Sequence, residues 1–549
     1  MRTDSIALQR ENAQKIMTIQ KLLQKYNKST VADIVDLFAA DPGRFKAFSC
    51  EFEGLLLDYS KTPISPAELD DLLLTAEQAG LRAAIKALFS GAVVNRSEGR
   101  AAWHSLLRSG SQEESESSAE LASERSRMLD IADSLRNGKV PGGADGITDV
   151  VHLGIGGSAL GPMLVADALD HSAQGNVRVH YLAGSDGHAV TQLLRNLQPK
   201  NTAIIIASKS FTTRETLLNA NVLKAWLAQN GGHNTAGRML AITAASGAAR
   251  DFGVMDELIL RMWPQVGGRY SVWSSIGLPA AITLGSSPFV ELLEGANSMD
   301  RHFRTAPSRF NLPVLLALCG IWHRNVCGYS SLAMMPYDFR LRLLPDWFQQ
   351  LDMESNGKSM DQDGQSLKYA TAPALLGGLG TTSQHSVFQS LHQGTDVIPV
   401  EFIGVLKTDH EMVEQHNVQL SNMLAQGEAL MRGRSDAETR SFMAEGGLET
   451  AQLESQLPHR VFHGNRPSIT LLLDELSPYS LGQLLALYEH KVYVQSVIWN
   501  INPFDQWGVE FGKTLAADYE RVLESGAGST KRADDLLTWV LEKLSLPRA

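Results

Sequence analysis

The chain has 549 residues, of which 44% are hydrophobic and 20% charged, and this length predicts two or more domains or one large extended α/β unit. A net charge of −11 without a visible basic stripe argues against a nucleic-acid partner. Cys50, Cys319 and Cys327 have neither zinc-site nor redox-motif spacing. Because no apolar leader or long apolar run occurs either, we expect a soluble cytoplasmic protein without a membrane partner.

Helical spacing of apolar residues dominates the N-terminal part of the chain. Leucines and alanines recur at this spacing over residues 69–89, which predicts helices. The Ser- and Glu-rich stretch 109–124 predicts either a surface loop or a solvated helix. Glycines and a proline at 138–146 then indicate a connector. We therefore predict a helical N-terminal region over residues 1–125.

Short β-prone runs alternate with helical stretches from residue 147 onward. This alternation predicts βαβ units with mostly parallel sheets, and therefore an α/β fold. We predict two α/β domains, at 126–290 and 291–512, and a helical C-terminal tail at 513–549. The predicted strands are 147–153, 177–182, 202–207, 239–243, 332–335, 396–403 and 469–473.

Ligands of open parallel sheets bind beyond the carboxyl ends of the strands, so residues that directly follow a strand are candidates for a site. Gly154-Ile-Gly-Gly-Ser158 follows the first strand, and its glycines let a ligand approach the backbone next to a helix N-terminus. Gly154-x-Gly156-x-x-Ala159 also fits a dinucleotide-binding turn, although no acidic residue stands clearly at the spacing which that turn requires. A tight turn without a ligand is the third alternative.

The segment Ser208-Lys-Ser-Phe-Thr-Thr-Arg-Glu-Thr216 follows the third predicted strand. Hydroxyls, backbone N–H groups and a helix N-terminus together make a cradle for phosphate. Capping of the next helix needs only one hydroxyl, from Thr212 or Thr213, and the segment has more than that. We favour a phosphate site here.

Two segments have charged side chains at turns. Arg269 follows two glycines in Gly267-Gly-Arg-Tyr-Ser-Val-Trp273, where it either stabilises developing negative charge or is an ordinary surface arginine. Asp352 and Glu354 precede Asn356-Gly357 at a predicted helix end. A carboxylate there is either tuned as a base or simply solvated.

Two further segments contain residues suited to proton transfer or ligand contact. His385 lies at a predicted loop-to-helix junction and titrates near neutral pH, unless it is a structural histidine, the role that we expect for His392. Gln506 and Lys513 are seven positions apart, so on one helix they share a face and can point at one ligand. Alternatively, Lys513 is a solvated helix residue.

In this order, the segments closely resemble the glucose-6-phosphate isomerase (phosphoglucose isomerase) family over roughly residues 40–545. The loop before His385, Gly377-Gly-Leu-Gly-Thr-Thr-Ser383, departs from the usual family pattern. The matching segments are Asn95-Arg-Ser-Glu-Gly-Arg100 with His104, Gly154–Ser158, Ser208–Thr216, Gly267–Ser271, Met353–Lys358, Gln384-His385 with Leu391–Gly394, and Phe504–Glu510 with Lys513.

The resemblance implies two sugar-isomerase (SIS) domains of three-layer α/β/α architecture and a homodimer without a metal or organic cofactor. It also implies a small-molecule sugar phosphate as the partner. The implied substrate-binding residues are Gly157, Ser158, Ser208, Lys209, Ser210, Thr213, Gln350 and Gln506. The implied catalytic residues are Glu354, Arg269, His385, Lys513 and Glu215, with His385 entering the site from the partner subunit.

The activity implied by the resemblance is reversible conversion of glucose 6-phosphate into fructose 6-phosphate. His385, oriented by Glu215, and Lys513 open the sugar ring. Glu354 then moves a proton between C2 and C1 through a cis-enediolate, which Arg269 stabilises. Two alternatives are a non-catalytic sugar-phosphate sensor, which would not need these residues, and a dinucleotide-dependent dehydrogenase, which rests only on the glycine pattern.

Overall fold

The computed structural model describes residues 18–109, 116–172, 175–230, 235–525 and 535–545. The chain divides into two compact units, Met1–Pro503 and Phe504–Ala549. Both β-sheets belong to the first unit. The described part of the second unit contains the helices Glu510–Ser525 and Asp535–Ser545.

The described residues contain eleven strands, which form two mostly parallel sheets and confirm the predicted α/β fold class. The strands are β1 (Ser49–Phe52), β2 (Leu55–Asp58), β3 (Asp149–Leu153), β4 (Arg178–Leu182), β5 (Thr202–Ala207), β6 (Met239–Thr243), β7 (Ile259–Arg261), β8 (Ser331–Pro336), β9 (Ala374–Gly377), β10 (Val400–Val405) and β11 (Ser468–Leu473).

The first sheet has the order β4-β3-β5-β6-β7 and is parallel throughout. Every residue of β3, β5 and β6 is buried. A strand covered on both faces favours a largely apolar run, which is why the sequence predicted β3, β5 and β6 within a few residues of their observed bounds. It also predicted β4, whose residues are mostly only partly buried. It did not predict β7, whose three residues are too short a run.

The second sheet has the order β1-β2-β11-β10-β8-β9. Its strands β11, β10, β8 and β9 are parallel, whereas β2 pairs antiparallel with both β1 and β11. The N-terminal region is therefore not only helical as predicted, because the hairpin β1-β2 forms the edge of this sheet. The sequence also missed β9, and it began β10 four residues early.

Helices cover the sheets and connect their strands. The Ser- and Glu-rich stretch is helical from Glu116 onward, while residues 110–115 lie outside the described part. None of the described helices is long and apolar enough to cross a membrane. A helix includes residues 18–25, and the other α-helices of the first unit are Ile34–Ala40, Arg44–Ala47, Pro66–Gln78, Leu81–Phe89, Glu116–Arg136, Leu160–Leu169, Gly187–Arg195, Arg214–Asn230, Ser246–Phe252, Leu278–Leu284, Ser286–Thr305, Leu312–Ile321, Leu344–Gln349, Gly380–Ser383, Phe388–Gln393, Val413–Arg432, Asp436–Glu445, Thr450–Arg460 and Pro478–Ile498.

The helix Pro478–Ile498, called the central helix below, is buried along nearly its whole length. Ser477 begins it with a capping box, in which the Ser477 and Ser480 hydroxyls each accept from the other residue's backbone N–H. The central helix packs against Ser286–Thr305 and Leu312–Ile321. Its buried Glu489, His490 and Lys491 each have a charged partner, as burial of such groups requires.

Candidate active site

Four segments of the first unit meet beyond the carboxyl end of the first sheet. The first two directly follow β3 and β5, the third follows β7, and the fourth is a π-helical turn after β8. Polar side chains from distant parts of the chain are thereby gathered at the sheet edge where parallel sheets bind ligands. The segments are the glycine turn (Gly154–Ser158), the hydroxyl loop (Ser208–Thr213), the arginine turn (Gly267–Ser271) and the glutamate turn (Gln350–Glu354).

The glycine turn contacts both the arginine turn and the glutamate turn. A β-carbon on Gly157 would lie 2.1 Å from the carbonyl carbon of Gly268 and 2.5 Å from the amide nitrogen of Arg269. Only glycine fits at that approach. A β-carbon on Gly156 would lie 3.0 Å from the Gln350 amide nitrogen. The half-buried Ser158 is held through its carbonyl, which accepts from His152 Nε2 at 2.7 Å.

The hydroxyl loop holds four hydroxyl groups immediately before the helix Arg214–Asn230. Ser208 Oγ lies 3.0 Å from Thr213 Oγ1, and Ser210 Oγ lies 2.6 Å from Thr212 Oγ1. The loop turns at Phe211, a buried residue with φ of +52°. Such a left-handed conformation is unusual away from glycine and occurs often in ligand-binding loops. Hydroxyls and the free N–H groups of a long helix suit a phosphate group.

Lys209 fastens the hydroxyl loop to the segment before the arginine turn. Its Nζ donates to the carbonyl oxygens of Pro264 at 2.8 Å and of Val266 at 2.9 Å. The Pro264 carbonyl also accepts from Arg100 at 3.4 Å. Burial, with a smaller contribution from Arg100, lowers the pKa of Lys209 to about 8. Lys209 therefore fixes the position of the hydroxyl loop and also supplies positive charge.

Arg269 is buried, with 4% of its surface exposed, and is no ordinary surface arginine. Its Nε donates to Ser355 Oγ at 2.6 Å, and its Nη2 donates to the Pro503 carbonyl at 2.6 Å. Its Nη1 lies 3.4 Å from Glu354 Oε2. The guanidinium is thus held rigidly beside the candidate base.

Glu354 ends the glutamate turn and shares one carboxylate oxygen between two donors. Gln350 Nε2 donates to Glu354 Oε2 at 3.0 Å, and Arg269 approaches the same oxygen. The Glu354 side chain remains 23% exposed. Within the described residues, Oε1 accepts no hydrogen bond, so it is available to a substrate proton.

Lys358 stabilises the end of the helix that carries Glu354. Its Nζ donates to the carbonyl oxygens of Glu354 at 2.8 Å and of Ser355 at 2.7 Å. A cation at this position compensates the negative end of the helix dipole. The predicted helix end at Asn356-Gly357 is therefore observed, and its closure depends on a lysine side chain that the sequence prediction did not assign.

His385 lies between the short helices Gly380–Ser383 and Phe388–Gln393, and its side chain is exposed. The loop before it is anchored on Tyr337, directly after β8. A β-carbon on Gly380 would lie 2.0 Å from the Tyr337 ring, and Gln384 Nε2 donates to Tyr337 Oη at 2.9 Å. The atypical loop sequence thus folds onto the second sheet. In the described chain, the His385 imidazole has no hydrogen-bond or ion-pair partner.

The remaining predicted residues lie in two places. Glu215 is in the first turn of Arg214–Asn230, half-buried, and no bond joins it to His385 within the described chain. Gln506 and Lys513 belong to the second unit. The prediction that they share one helix face is wrong, because the helix Glu510–Ser525 begins after Gln506, whose backbone is not helical.

The sequence prediction missed several residues that hold the site together. Ser355 accepts from Arg269 and lies 2.9 Å from the hydroxyl of Tyr270, a buried residue. Asn502 Nδ2 donates to Asn95 Oδ1 at 2.9 Å and to Ser97 Oγ at 2.8 Å, next to the Pro503 carbonyl that binds Arg269. All these residues lie in or beside segments that the family resemblance had marked. Their supporting roles depend on contacts that one-dimensional patterns do not contain.

Comparison with known proteins identifies the family of this chain. The chain matches the phosphoglucose isomerase family over residues 58–535. It is 43% identical to a glucose-6-phosphate isomerase of Brucella ovis over 95% of this chain and 96% of that protein. It is 44% identical to glucose-6-phosphate isomerase 2 of Chromobacterium violaceum, over 93% of each. The crystal structure of a glucose-6-phosphate isomerase from Chlamydia trachomatis superposes with a TM-score of 0.83 at 30% identity, covering 96% of this chain and 98% of that one. Because the family match covers most of the chain and the relatives are more than 40% identical over nearly their whole length, the chain belongs to the phosphoglucose isomerase family.

Proposed function

We propose that this protein is an enzyme that interconverts glucose 6-phosphate and fructose 6-phosphate, with Glu354 as the base that transfers the proton. The observation that carries the proposal is the pairing of Glu354 with Arg269. A carboxylate with one oxygen held by Gln350 and Arg269, and the other available, is oriented as a base. A buried guanidinium beside it offsets negative charge that develops on the substrate.

The phosphate group of the sugar binds at the hydroxyl loop. Ser208, Ser210 and Thr213 supply hydroxyl donors at the N-terminus of the helix Arg214–Asn230, and Lys209 supplies a positive charge. The glycine turn, with Gly157 and Ser158, lines the same sheet edge. Binding energy from the phosphate, which is remote from the reacting carbons, holds C1 and C2 against Glu354.

Glu354 takes the proton from C2 of the open-chain aldose and returns it to C1. One base serves both carbons because they are adjacent and present the proton on one face. The cis-enediolate formed between the two transfers carries negative charge on oxygen, and Arg269 stabilises that charge. Gln350 fixes the orientation of the carboxylate throughout.

Ring opening requires a proton to move between O5 and O1 of the cyclic sugar. We assign this step to His385 and Lys513, with Glu215 orienting His385 and Gln506 contacting the sugar. His385 is exposed and has no partner among the described residues, which supports its entry into the site of a second subunit. We therefore propose a homodimer as the working form. We also propose that each subunit has α/β domains at 126–290 and 291–512, and that the protein is cytoplasmic.

A non-catalytic sensor of sugar phosphates is the less favoured function. A sensor needs the hydroxyl loop, but gains nothing from a buried arginine that neutralises a carboxylate beside the binding site. The isomerase uses both. The dehydrogenase alternative loses its only support, because both glycines of the pattern have structural reasons. A β-carbon on Gly154 would lie 2.8 Å from the Ser158 carbonyl oxygen, and Gly156 has a φ of +56°.

The test is the variant Glu354→Gln, which keeps the size of the side chain and one acceptor oxygen for Gln350 and Arg269 but removes the base. We expect the rate of glucose 6-phosphate formation from fructose 6-phosphate, followed by a coupled assay, to fall by at least about 10²–10⁴-fold. Binding of fructose 6-phosphate, measured by calorimetry on the inactive variant, stays within a few-fold of wild type. Incorporation of solvent deuterium at C1 and C2 is lost in parallel.

Glu475→Gln is the matched control, because Glu475 is an exposed carboxylate outside the site, and it keeps full activity. Retained turnover in Glu354→Gln would refute Glu354 as the base. Absence of turnover in metal-free wild-type protein that still binds fructose 6-phosphate would favour the sensor.

A further inference from the structure

A cavity of about 20 Å³, the size of one water molecule, lies behind the glutamate turn. Two π-helical turns face it. Trp322–Val326 contributes His323, and the glutamate turn contributes Asp352. The central helix contributes Lys491 and Gln495. The cavity is thus lined by both the glutamate turn and the central helix.

Three polar atoms on residues that line this cavity have no hydrogen-bond partner within the described chain: Asp352 Oδ2, His323 Nε2 and Gln495 Oε1. Asp352, His323 and Gln495 are 1%, 5% and 2% exposed, so bulk water does not satisfy these atoms. Buried polar groups are almost always paired, and a buried water makes about three hydrogen bonds. The number of unpaired atoms matches one water molecule.

The chemistry of the lining fits water better than an ion. Lys491 lines the cavity and its Nζ donates to Glu401 Oε1 at 3.0 Å, so its positive charge disfavours a cation there. Asp352 Oδ2 repels an anion. Burial lowers the pKa of His323 to about 3, and the neutral ring has one N–H. A water molecule can donate to Asp352 and Gln495 and accept from His323.

Asp352 is bonded to the chain on the far side of Glu354. Its Oδ1 accepts from Asn356 Nδ2 at 3.2 Å, and its carbonyl accepts from the Ser355 amide. Ser355 in turn binds Arg269. A shift of Asp352 therefore moves both the base and the cation that faces it.

We propose that one water molecule bound in this cavity links Asp352 to His323 and Gln495, and that Asp352 is thereby a positioning residue for Glu354. The inference rests on the proposed isomerase function. The proposal means that the water and the residues lining the cavity, and not the substrate, fix the position of the glutamate turn. A π-helical turn of this kind is typical of functional sites. Displacement of a reacting group by about 1 Å costs up to about 10²-fold in rate.

The test is a double-mutant cycle of Asp352→Leu and Gln495→Leu, with kcat and KM for fructose 6-phosphate as the readouts. We expect Asp352→Leu to lower kcat by about 10–100-fold with KM within about twofold, and Gln495→Leu to lower kcat several-fold. The double variant is no slower than Asp352→Leu alone, because both changes remove the same water. Asp352→Asn, which keeps an oxygen acceptor, recovers most of the lost kcat.

Gln483→Leu is the matched control, because Gln483 lies on the same central helix, also has an unpaired buried oxygen, and does not line this cavity. It keeps kcat. The inference would be overturned if the fold-loss of kcat in the double variant equalled the product of the two single losses. An unchanged kcat in a folded Asp352→Leu variant would also overturn it.

A high-resolution crystal structure of the wild-type protein decides the question even where Asp352→Leu fails to fold. We expect a single density peak at roughly 2.7–3.2 Å from Asp352 Oδ2 and Gln495 Oε1. An empty cavity, or an ion in it, refutes the inference without bearing on the proposed function. If instead the wild-type protein does not turn over fructose 6-phosphate, the proposed function is refuted, whatever the cavity contains.

Discussion

The buried position of Lys209 changes the pH at which its side chain loses its charge. An exposed lysine is charged throughout the physiological pH range, but burial lowers the pKa of Lys209 to about 8. Its two backbone acceptors, the carbonyls of Pro264 and Val266, hold the ammonium group beside the hydroxyl loop. The charge that helps to bind phosphate is therefore present below pH 8 and is lost above it.

This predicts a pH-dependent KM. Phosphate binding favours the charged lysine and raises its pKa in the complex, so affinity is full below pH 8 and falls as the pH rises further. We expect KM for fructose 6-phosphate to rise several-fold between pH 7.5 and 9.5, where the substrate phosphate is already a dianion. Steady-state kinetics across this range provide the measurement.

In the variant Lys209→Met, KM is higher at every pH and this rise between pH 7.5 and 9.5 disappears. A pH-independent KM in the wild-type protein would contradict the assignment of the charge. Arg195→Met, which alters an exposed residue at the end of Gly187–Arg195, serves as the control and keeps the wild-type pH profile.

At the residue scale, the sequence predicted the candidate catalytic side chains better than the residues that bind and position those side chains. Arg269 and Glu354 were singled out, and the structure brings them together. Ser355 and Lys358 were quoted only as part of a motif, although they hold Arg269 and the helix end. A serine and a lysine at a helix end are common in any protein, so only their contacts reveal what they do.

At the scale of elements, the glycine turn and the arginine turn behave as one piece. The backbone at Gly157 touches the backbone at Gly268, and Ser271 Oγ donates to the Gly157 carbonyl at 3.3 Å. Two backbones in contact leave no flexible side chain to yield. The position of Arg269 is therefore set by a residue more than a hundred positions earlier in the chain.

The variant Gly157→Ala tests this coupling. Its β-carbon would lie 2.1 Å from the Gly268 carbonyl carbon, so the arginine turn must shift away from Glu354. We expect kcat/KM for fructose 6-phosphate to fall by about 10²-fold or more, with the far-ultraviolet circular dichroism spectrum retained. Gly187→Ala, where a β-carbon has no neighbour within 4 Å, is the control and stays active. Near-wild-type activity of Gly157→Ala would mean that the two turns move independently.

Elements were predictable where one local pattern determined them. The buried strands of the first sheet have continuous apolar runs, and these were recognised. The hairpin β1-β2 was not, since each strand has four residues and its pairing partner β11 is distant in the chain. The two π-helical turns also escaped prediction, because an extra residue in a helical turn leaves no mark on the apolar spacing.

At the scale of the whole first unit, a buried ionic network joins three distant segments. Arg108 donates to both oxygens of Asp300, at 2.7 and 2.6 Å, and to Glu489, whose other oxygen accepts from Trp273 at 2.8 Å. His490 bonds to Asp300 at 2.6 Å. The ionisable residues of this network come from the N-terminal region (Arg108), the helix Ser286–Thr305 (Asp300) and the central helix (Glu489 and His490). The single cation compensates two buried carboxylates.

Burial and the Arg108 charge act against each other in this network. Burial raises the pKa of Glu489 to about 6. Burial also opposes ionisation of Asp300, but Arg108 and the His490 bond outweigh it and hold the pKa of Asp300 at about 2. Stability from Asp300 is therefore present above pH 4 and is lost only as the pH falls through 2, whereas ionisation of Glu489 costs stability as the pH rises through 6.

Removal of the cation should therefore be strongly destabilising. The variant Arg108→Met leaves both carboxylates unpaired in the core, and we expect a loss of about 3–5 kcal/mol at neutral pH. Without Arg108 the carboxyl pKa values rise, the folded state binds more protons, and the variant gains stability relative to wild type as the pH falls from 7.5 to 5.5. Denaturant unfolding at both pH values measures the change.

The control is Arg250→Met, which removes an exposed ion pair with Asp256 and leaves the unfolding midpoint unchanged. An Arg108→Met variant that is as stable as this control, or whose deficit grows on acidification, would contradict the account of the network.

The hairpin at the edge of the second sheet has a consequence for biosynthesis. Residues 49–58 leave the ribosome early, yet β2 pairs with β11, which ends about 415 residues later. At a synthesis rate of roughly 5–20 residues per second, that interval lasts roughly 20–80 s. During this time β1 and β2 have no sheet to join, and their unpaired strand edges are open to aggregation. The second sheet is complete only after β11 has been synthesised. Pro503, whose carbonyl binds Arg269, follows β11 in the chain, so the candidate site is a late product of translation.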